Sequence, residues 1–422
     1  MKKIIAAALA LILALGLCAC GETLDWDSIY DGTASEEVYA KAIADLELRA
    51  GKGDAGAMLG LGYLYDLGYG VEEDLSKAFD WYTKSADLGN TIAMCNLGIM
   101  YEYGRGVEQD YGKAIELYKK AIDLGDTDAM CDLGNLYYSG SGTQQSFDAA
   151  INWYTKTAEL GNADAMNLVG DMYYSGEGVE QDYDTAFDWY TKAAELGQAD
   201  AMLDLGYLYD WGYGVDEDLS KAIDWYTKSA ELGNTIAMRN LGVMYEYGNG
   251  VEQDYDAAVD WYTKAAELGD TIVMRHLGVM YHSGSGVEQD YDAALDWYTK
   301  AAELGDADAM NLVGEMYASG EGVEQDYGVA LGWFTKAAEL GNADAMCYLG
   351  FMYGAGKGVE QDHDAEFDWY TKAAELGSDE AMLRLGLMYK LGEGVEMDES
   401  TANEWYKKAA DAGNEIAAVF LR

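Results

Sequence analysis

Histidines, cysteines and clustered acids are the residues in this chain that could bind metal or perform chemistry, and their spacing limits what they can do. Three histidines occur, His276, His282 and His363. The first two stand six apart in one helical stretch and so face different ways. The third fills a helix-start place that tyrosine usually holds, so no zinc constellation results. Cys95, Cys131 and Cys347 share one register, at separations of 36 and 216 residues. Equivalents in adjacent layers would sit about 10 Å apart, beyond the ~7 Å Cα limit for a disulfide, and free thiols are expected. Val-Glu-Gln-Asp runs end at Asp110, Asp182, Asp254, Asp290, Asp326 and Asp362. They would stack into an acidic ridge able to hold calcium, but carboxylates capping helix N-termini account for the same pattern without an ion. No nucleophile elbow, phosphate loop or paired catalytic carboxylates can be read, so no catalytic residue, metal site or cofactor is expected.

The elements that carry these residues repeat. Leu-Gly or Val-Gly recurs at 61, 97, 133 and onward to 385, every step being 36 residues. Tyrosine follows at a fixed offset, and tryptophan stands in register from Trp81 to Trp405, with Leu117 the one exception. In one repeat Ala93, Leu97, Met100 and Tyr101 form one face of a helix. Gly104 and Gly106 supply the positive φ that its end and the following turn require. Asp110 can accept hydrogen bonds from the free N–H groups of a second helix, whose stripe is Ala114, Leu117, Tyr118 and Ala121. In the repeat that departs from this pattern, Ser146 replaces the capping aspartate. Such a hairpin cannot bury its own apolar faces, so neighbours must stack. The expected fold is all-α, an α-α superhelix of ten helix-turn-helix repeats over 54–413, with capping helices at 35–53 and 414–422.

Size and composition agree with a folded repeat array. The 422 residues include 51 glycines, 35 tyrosines, 11 tryptophans and no proline, which excludes collagen-like and disordered classes. The net charge of −49 would repel phosphate backbones and anionic headgroups, so nucleic acid is not expected as a partner.

The N-terminus differs in kind. Lys2-Lys3, an apolar run from Ile4 to Leu17 and the ending Leu17-Cys18-Ala19-Cys20 read as a signal peptide over 1–19. Its end resembles a bacterial lipobox, with Cys20 as the lipid carrier, 20–34 as a lipidated tether, and a plain secretory peptide as the alternative. Attachment to the membrane would be through this lipid only, since no later stretch approaches the ~20 apolar residues of a spanning helix.

The set Ala93-Met94, Leu97-Gly98, Tyr101, Gly104-Arg105-Gly106-Val107, Asp110, Lys113-Ala114, Tyr118, Lys120-Ala121 and Gly125 resembles the Sel1-like repeat, a relative of the tetratricopeptide repeat. The resemblance covers nearly all of the chain after the leader. Ala149, Ala257 and Ala293 depart from it where the family often has lysine. It implies that the variable outward positions of the first helices line a concave groove, and that the protein assembles or regulates complexes without catalysis. Cysteine-rich members staple each hairpin with two cysteines, a pairing this chain lacks.

A longer period lies within the short one. Residues 57–103 align with 201–247 at an offset of 144, differing at seven of 47 positions. Reading the outward face predicts two aromatic patches four repeats apart. The first contains Leu59, Tyr63, Leu67 and Tyr103; the second contains Leu203, Tyr207, Trp211 and Tyr247, with Asp210 and Glu246 beside it. Asn135, Asp171 and Ser175 belong to polar repeats between them. Trp211 either anchors a partner or covers a hairpin end. Arg239 and Arg275 either pair with acids on a ligand or neutralise Glu246 and its neighbours. These residues make up the expected partner-binding set. The function expected is a lipid-anchored scaffold for a protein or peptide, with the acid excess favouring a basic one. A cell-wall or β-lactam hydrolase and a cation-binding repeat protein stand as alternatives.

Overall fold

The computed structural model describes residues 26–421; the expected leader 1–19, Cys20 and the start of the expected tether lie outside them. Among the described residues all regular structure is helical, a succession of short antiparallel helix pairs. They fall into two compact units, divided after Glu217.

The local chemistry of one repeat explains its helices. Asn90 starts the helix Thr91–Tyr103 by accepting from the N–H of Ala93 at 3.0 Å. Gly104 ends it in the left-handed conformation, φ 65°, where a Cβ would be strained. Asp110 then caps Tyr111–Asp123 by accepting from the N–H of Lys113 at 3.0 Å. The glutamine before each such cap works backwards: Gln109 donates to the Glu102 carbonyl at 2.7 Å, and Gln181 does the same to Tyr174 at 2.8 Å. The Val-Glu-Gln-Asp run is therefore a two-way latch across the hairpin. Ser146 caps Phe147–Glu159 in the departing repeat. Because a lost side-chain cap costs about 1 kcal/mol, Asn162→Ala is expected to lower stability by that amount in urea unfolding. Asn162 caps Ala163–Ser175 and also bonds Asp128 at 3.1 Å.

In four hairpins of the first unit the first helix presents a glycine to a buried tyrosine ring on the second. The pairs are Gly62 with Tyr82, Gly98 with Tyr118, Gly134 with Tyr154 and Gly170 with Tyr190. Alanines such as Ala57, Ala78, Ala93 and Ala114 fill the remaining interhelical space without residual exposure.

The entry to this unit differs from the expected tether. Residues Trp26–Asp31 are helical, and Trp26, Ile29 and Tyr30 are buried against the first repeat. Trp26 stacks on Tyr30 with centroids 5.7 Å apart. The helix Glu36–Ala50 follows, capped by Ser35. The physical reason is that a terminal repeat has one apolar face with no neighbour, and this segment covers it.

The second unit continues the same pairing, with Gly242 on Tyr262, Gly278 on Tyr298 and Gly314 on Phe334. It closes on the short helix Glu415–Phe420, whose Phe420 stacks on Tyr406 at 4.9 Å. Cys95, Cys131 and Cys347 are free thiols. No helix among the described residues is long and apolar enough to cross a membrane.

Candidate functional site

The first unit contains a cleft of about 770 Å³. It is formed across the first helices Asp128–Ser139, Ala163–Ser175 and Ala199–Trp211 and the turn that follows the last of them. Its aromatic walls are Tyr138, Tyr174, Tyr207, Trp211 and Tyr213. Tyr213 stacks on Tyr183 at 4.9 Å, and Tyr174 meets both rings edge-on, so this wall is a braced aromatic cluster. Tyr138 is held by Phe147, ring centroids 5.2 Å apart, and donates to Glu177 at 2.5 Å.

Carboxylates supply the polar side. Asp171 accepts from the Tyr190 hydroxyl at 2.8 Å and from Asn167 at 3.4 Å. Burial pushes its carboxyl up to about 6, against the lowering effect of the Tyr190 hydrogen bond. Asp204, one repeat on, is pushed up to about 8 by burial, then by the charges of Asp171 and Asp200, with Asn167 opposing. Two carboxyls sharing a partly dry pocket resist ionising together. In their ionised form these carboxylates would suit a cation with hydrogen-bond donors, and the aromatic faces around them would add to that attraction.

The expected partner-binding residues meet different fates. Trp211 is 65% exposed and lines this cleft together with Tyr207; Asp210 beside it is partly buried. Tyr63, by contrast, is 5% exposed, and Leu59 and Leu203 are also buried. Tyr63 lies under Tyr30, ring centroids 5.5 Å apart. Leu67 packs against the same core. The Tyr63 part of the first aromatic patch is therefore not an open surface, because Tyr30 packs on it. Tyr103 remains 66% exposed, next to a smaller cleft containing Glu102 and Tyr138.

In the second unit Tyr247 is exposed, but Glu246 is only 8% exposed. Glu246 accepts from the Tyr262 hydroxyl at 2.7 Å and lies 2.9 Å from His276 Nε2, so it braces a hairpin and is not available to a partner. Neither arginine pairs with Glu246 itself; both pair with other acids of the chain. Arg239 pairs with Asp270 at 3.2 Å, and Arg275 pairs with Asp308, with Asp306 at 3.9 Å. Each guanidinium ties one repeat to the next, a use for which its planar fork is suited.

Tyr138, Tyr174, Tyr213 and Asp204 were absent from the expected set. A signal for one of them was present: of the seven differences between 57–103 and 201–247, Gly60→Asp204 and Leu67→Trp211 fall in this cleft. The tyrosines were hidden because Tyr138 and Tyr174 sit one position before the serines of the repeats read as polar.

The Sel1 repeat family model matches ten segments, 55–90, 91–126, 127–162, 163–198, 199–234, 235–270, 272–306, 307–342, 343–378 and 379–414. Among solved structures, the chain is similar to a protective antigen present in uropathogenic Escherichia coli strains displaying an SLR fold. Identity is 37% over 90% of this chain and 81% of that one, with a TM-score of 0.55. It is also similar to a Sel1 repeat protein from Oxalobacter formigenes, 35% identical over 58% of this chain and 99% of that one, TM-score 0.49. Helicobacter pylori cysteine rich protein B is 28% identical over 33% of this chain and 99% of that one, TM-score 0.27. No curated protein matches the sequence. With ten matched repeats covering nearly all of the described residues, this chain belongs to the Sel1 repeat family.

Proposed function

We propose that the protein is a non-catalytic scaffold, held at the bacterial cell envelope by a lipid on Cys20, that binds a protein or peptide with basic character. The family fold supports a role in protein–protein interaction. The observation that carries the reading is the open cleft of the first unit, where Trp211 stands exposed beside acidic groups. Exposed tryptophan near charged groups is a frequent anchor of interfaces. A relative 37% identical is described as a protective antigen, which suits an envelope location.

The test is affinity capture from envelope extracts, with the intact protein beside Trp211→Ala. A partner recovered by the first, lost by the second and weakened by salt supports the reading; equal recovery of every protein by both rejects it. The anchor is tested separately. Cys20→Ser is expected to take up no labelled fatty acid and to leave the membrane fraction.

One observation favours a second reading, an envelope hydrolase acting on cell-wall sugars. Asp171 and Asp204, with carboxyls raised to about 6 and about 8, lie among aromatic rings, and a raised carboxyl is what a general acid requires. Release of fragments from purified cell walls, lost in Asp204→Asn, would replace the scaffold reading.

A further inference from the structure

The chain displays on its own first repeat how a short segment occupies the register of the cleft. Tyr30 meets Tyr63 edge-on at 74°, and the Tyr63 hydroxyl donates to the Tyr30 carbonyl at 3.5 Å. The Tyr30 hydroxyl ends 2.9 Å from the point where a Cβ on Gly60 would lie. At the offset of 144 residues Leu203 and Tyr207 reproduce Leu59 and Tyr63, while Gly60 is replaced by Asp204 and Leu67 by Trp211. A segment seated there as 26–31 is seated on the first repeat would therefore place its fifth side chain, the one at the Tyr30 position, against a carboxylate instead of a bare backbone.

Charge selects that side chain. None of the residues lining the cleft is basic. Between residues 126 and 217 the only bases are Lys156 and Lys192, which lie 4.6 and 4.1 Å from the ring centroids of Trp153 and Trp189. The chain's own segment is acidic at Asp27 and Asp31, so a second copy of it is repelled.

Resting on the adaptor reading above, we infer that the cleft takes an arginine side chain offered by a short segment of the partner, its guanidinium against Asp204 and Asp171 and its plane along Tyr207 and Trp211. A planar guanidinium can bond two carboxylates and stack on an aromatic face at once, whereas an ammonium is a compact point charge. A second copy of the register, in the other unit, lacks these features: Tyr348 and Ala355 stand at the places of Asp204 and Trp211. Tyr348 there stacks on Phe334 at 4.7 Å, and Lys357, at the place of Tyr213, donates to the Tyr327 hydroxyl at 2.8 Å. That copy already carries a cation of its own.

The probe is an acetylated, amidated hexapeptide with the residue order of 26–31, glutamine for both aspartates and arginine for the tyrosine. A twin carries citrulline, the neutral isostere, in place of arginine. Calorimetric titration of the full chain in detergent is expected to show the arginine peptide binding about tenfold or more tighter than its twin. Trp211→Ala and Asp204→Asn should each remove most of that difference, and Leu304→Ala, an exposed change in the other unit, should leave it intact. Equal binding of the two peptides, or an arginine preference that survives both cleft variants, overturns the inference. Partner capture that depends on Trp211 without any arginine preference leaves the adaptor reading standing, so the two ideas fail separately.

Discussion

Gly170→Ala is expected to lower the stability of the first unit by about 1–3 kcal/mol, the usual cost of adding a methyl to a filled core. A Cβ at 170 would lie 2.5 Å from Cε1 and 2.6 Å from Cδ1 of Tyr190, far inside the ~3.5–4.0 Å of an ordinary carbon contact. The ring cannot swing clear cheaply. It is buried, and its hydroxyl is held by Asp171 at 2.8 Å, so a shift of the ring also disturbs the cleft. Alanine's better helix propensity recovers at most about 1 kcal/mol. Gly332→Ala is the control with the opposite sign. That glycine is interior to the helix Tyr327–Glu339, and a Cβ there meets nothing within 4 Å, so the change should add roughly 0.5–1 kcal/mol. Thermal unfolding of both variants beside the parent tests the pair. A Gly170→Ala melting point at or above the parent's would mean that the helix layers are not in rigid contact.

Asp204→Asn should make the protein more stable at pH 8, and the gain should shrink as the pH is lowered. Folding raises this carboxyl from 3.8 to about 8, so the folded chain holds its proton more tightly than the unfolded chain does. The resulting stabilisation is present in full below the unfolded value near 4, and it is lost as pH rises through 8. A tenfold change in proton affinity corresponds to ~1.4 kcal/mol, and even a heavily relaxed pocket leaves about 2 kcal/mol to be recovered by a neutral side chain. Asp132, pushed up to about 7 by burial and then by Glu102, acts in the same direction and should leave a residual slope in the variant. The exposed helix caps act oppositely. Asp110 and Asp182 are held below their usual range, the first chiefly by the N–H of Lys113 and the second by the Thr185 hydroxyl, so their contribution disappears as pH falls below about 4. Melting temperature against pH should therefore peak in mildly acid solution. A flat profile, or one that Asp204→Asn does not change, would remove the buried carboxyl from the description of the cleft.

The candidate site is only half legible in the sequence. Trp211 stood out because it departs from the core register of the other tryptophans, and it is exposed as expected. Tyr63 occupies the equivalent of the Tyr207 place and has the same residue type, but it is buried. Its own repeat differs from the fifth within residues 57–67 only at Gly60 and Leu67, where the fifth has Asp204 and Trp211, and neither difference by itself says that Tyr63 is covered. What separates them is Tyr30, 33 residues upstream, in a stretch that read as a tether. Glu246 failed in a similar way. A glutamate on an outward face reads as solvated, but Tyr262 and His276 come from the partner helix and the next repeat to bury it.

The chain's own order of residues determined the 36-residue period, the helix pairs and their ends, because capping, positive φ at glycine and apolar spacing act over a few neighbouring positions. Only tertiary structure decided which outward side chains remain open, which carboxyls are driven toward protonation, and where the arginines are spent. Burial and charge are set by whatever packs alongside from the next repeat or from the chain's start, and contacts at such separations leave only isolated marks on local sequence, such as Gly60 beneath Tyr30.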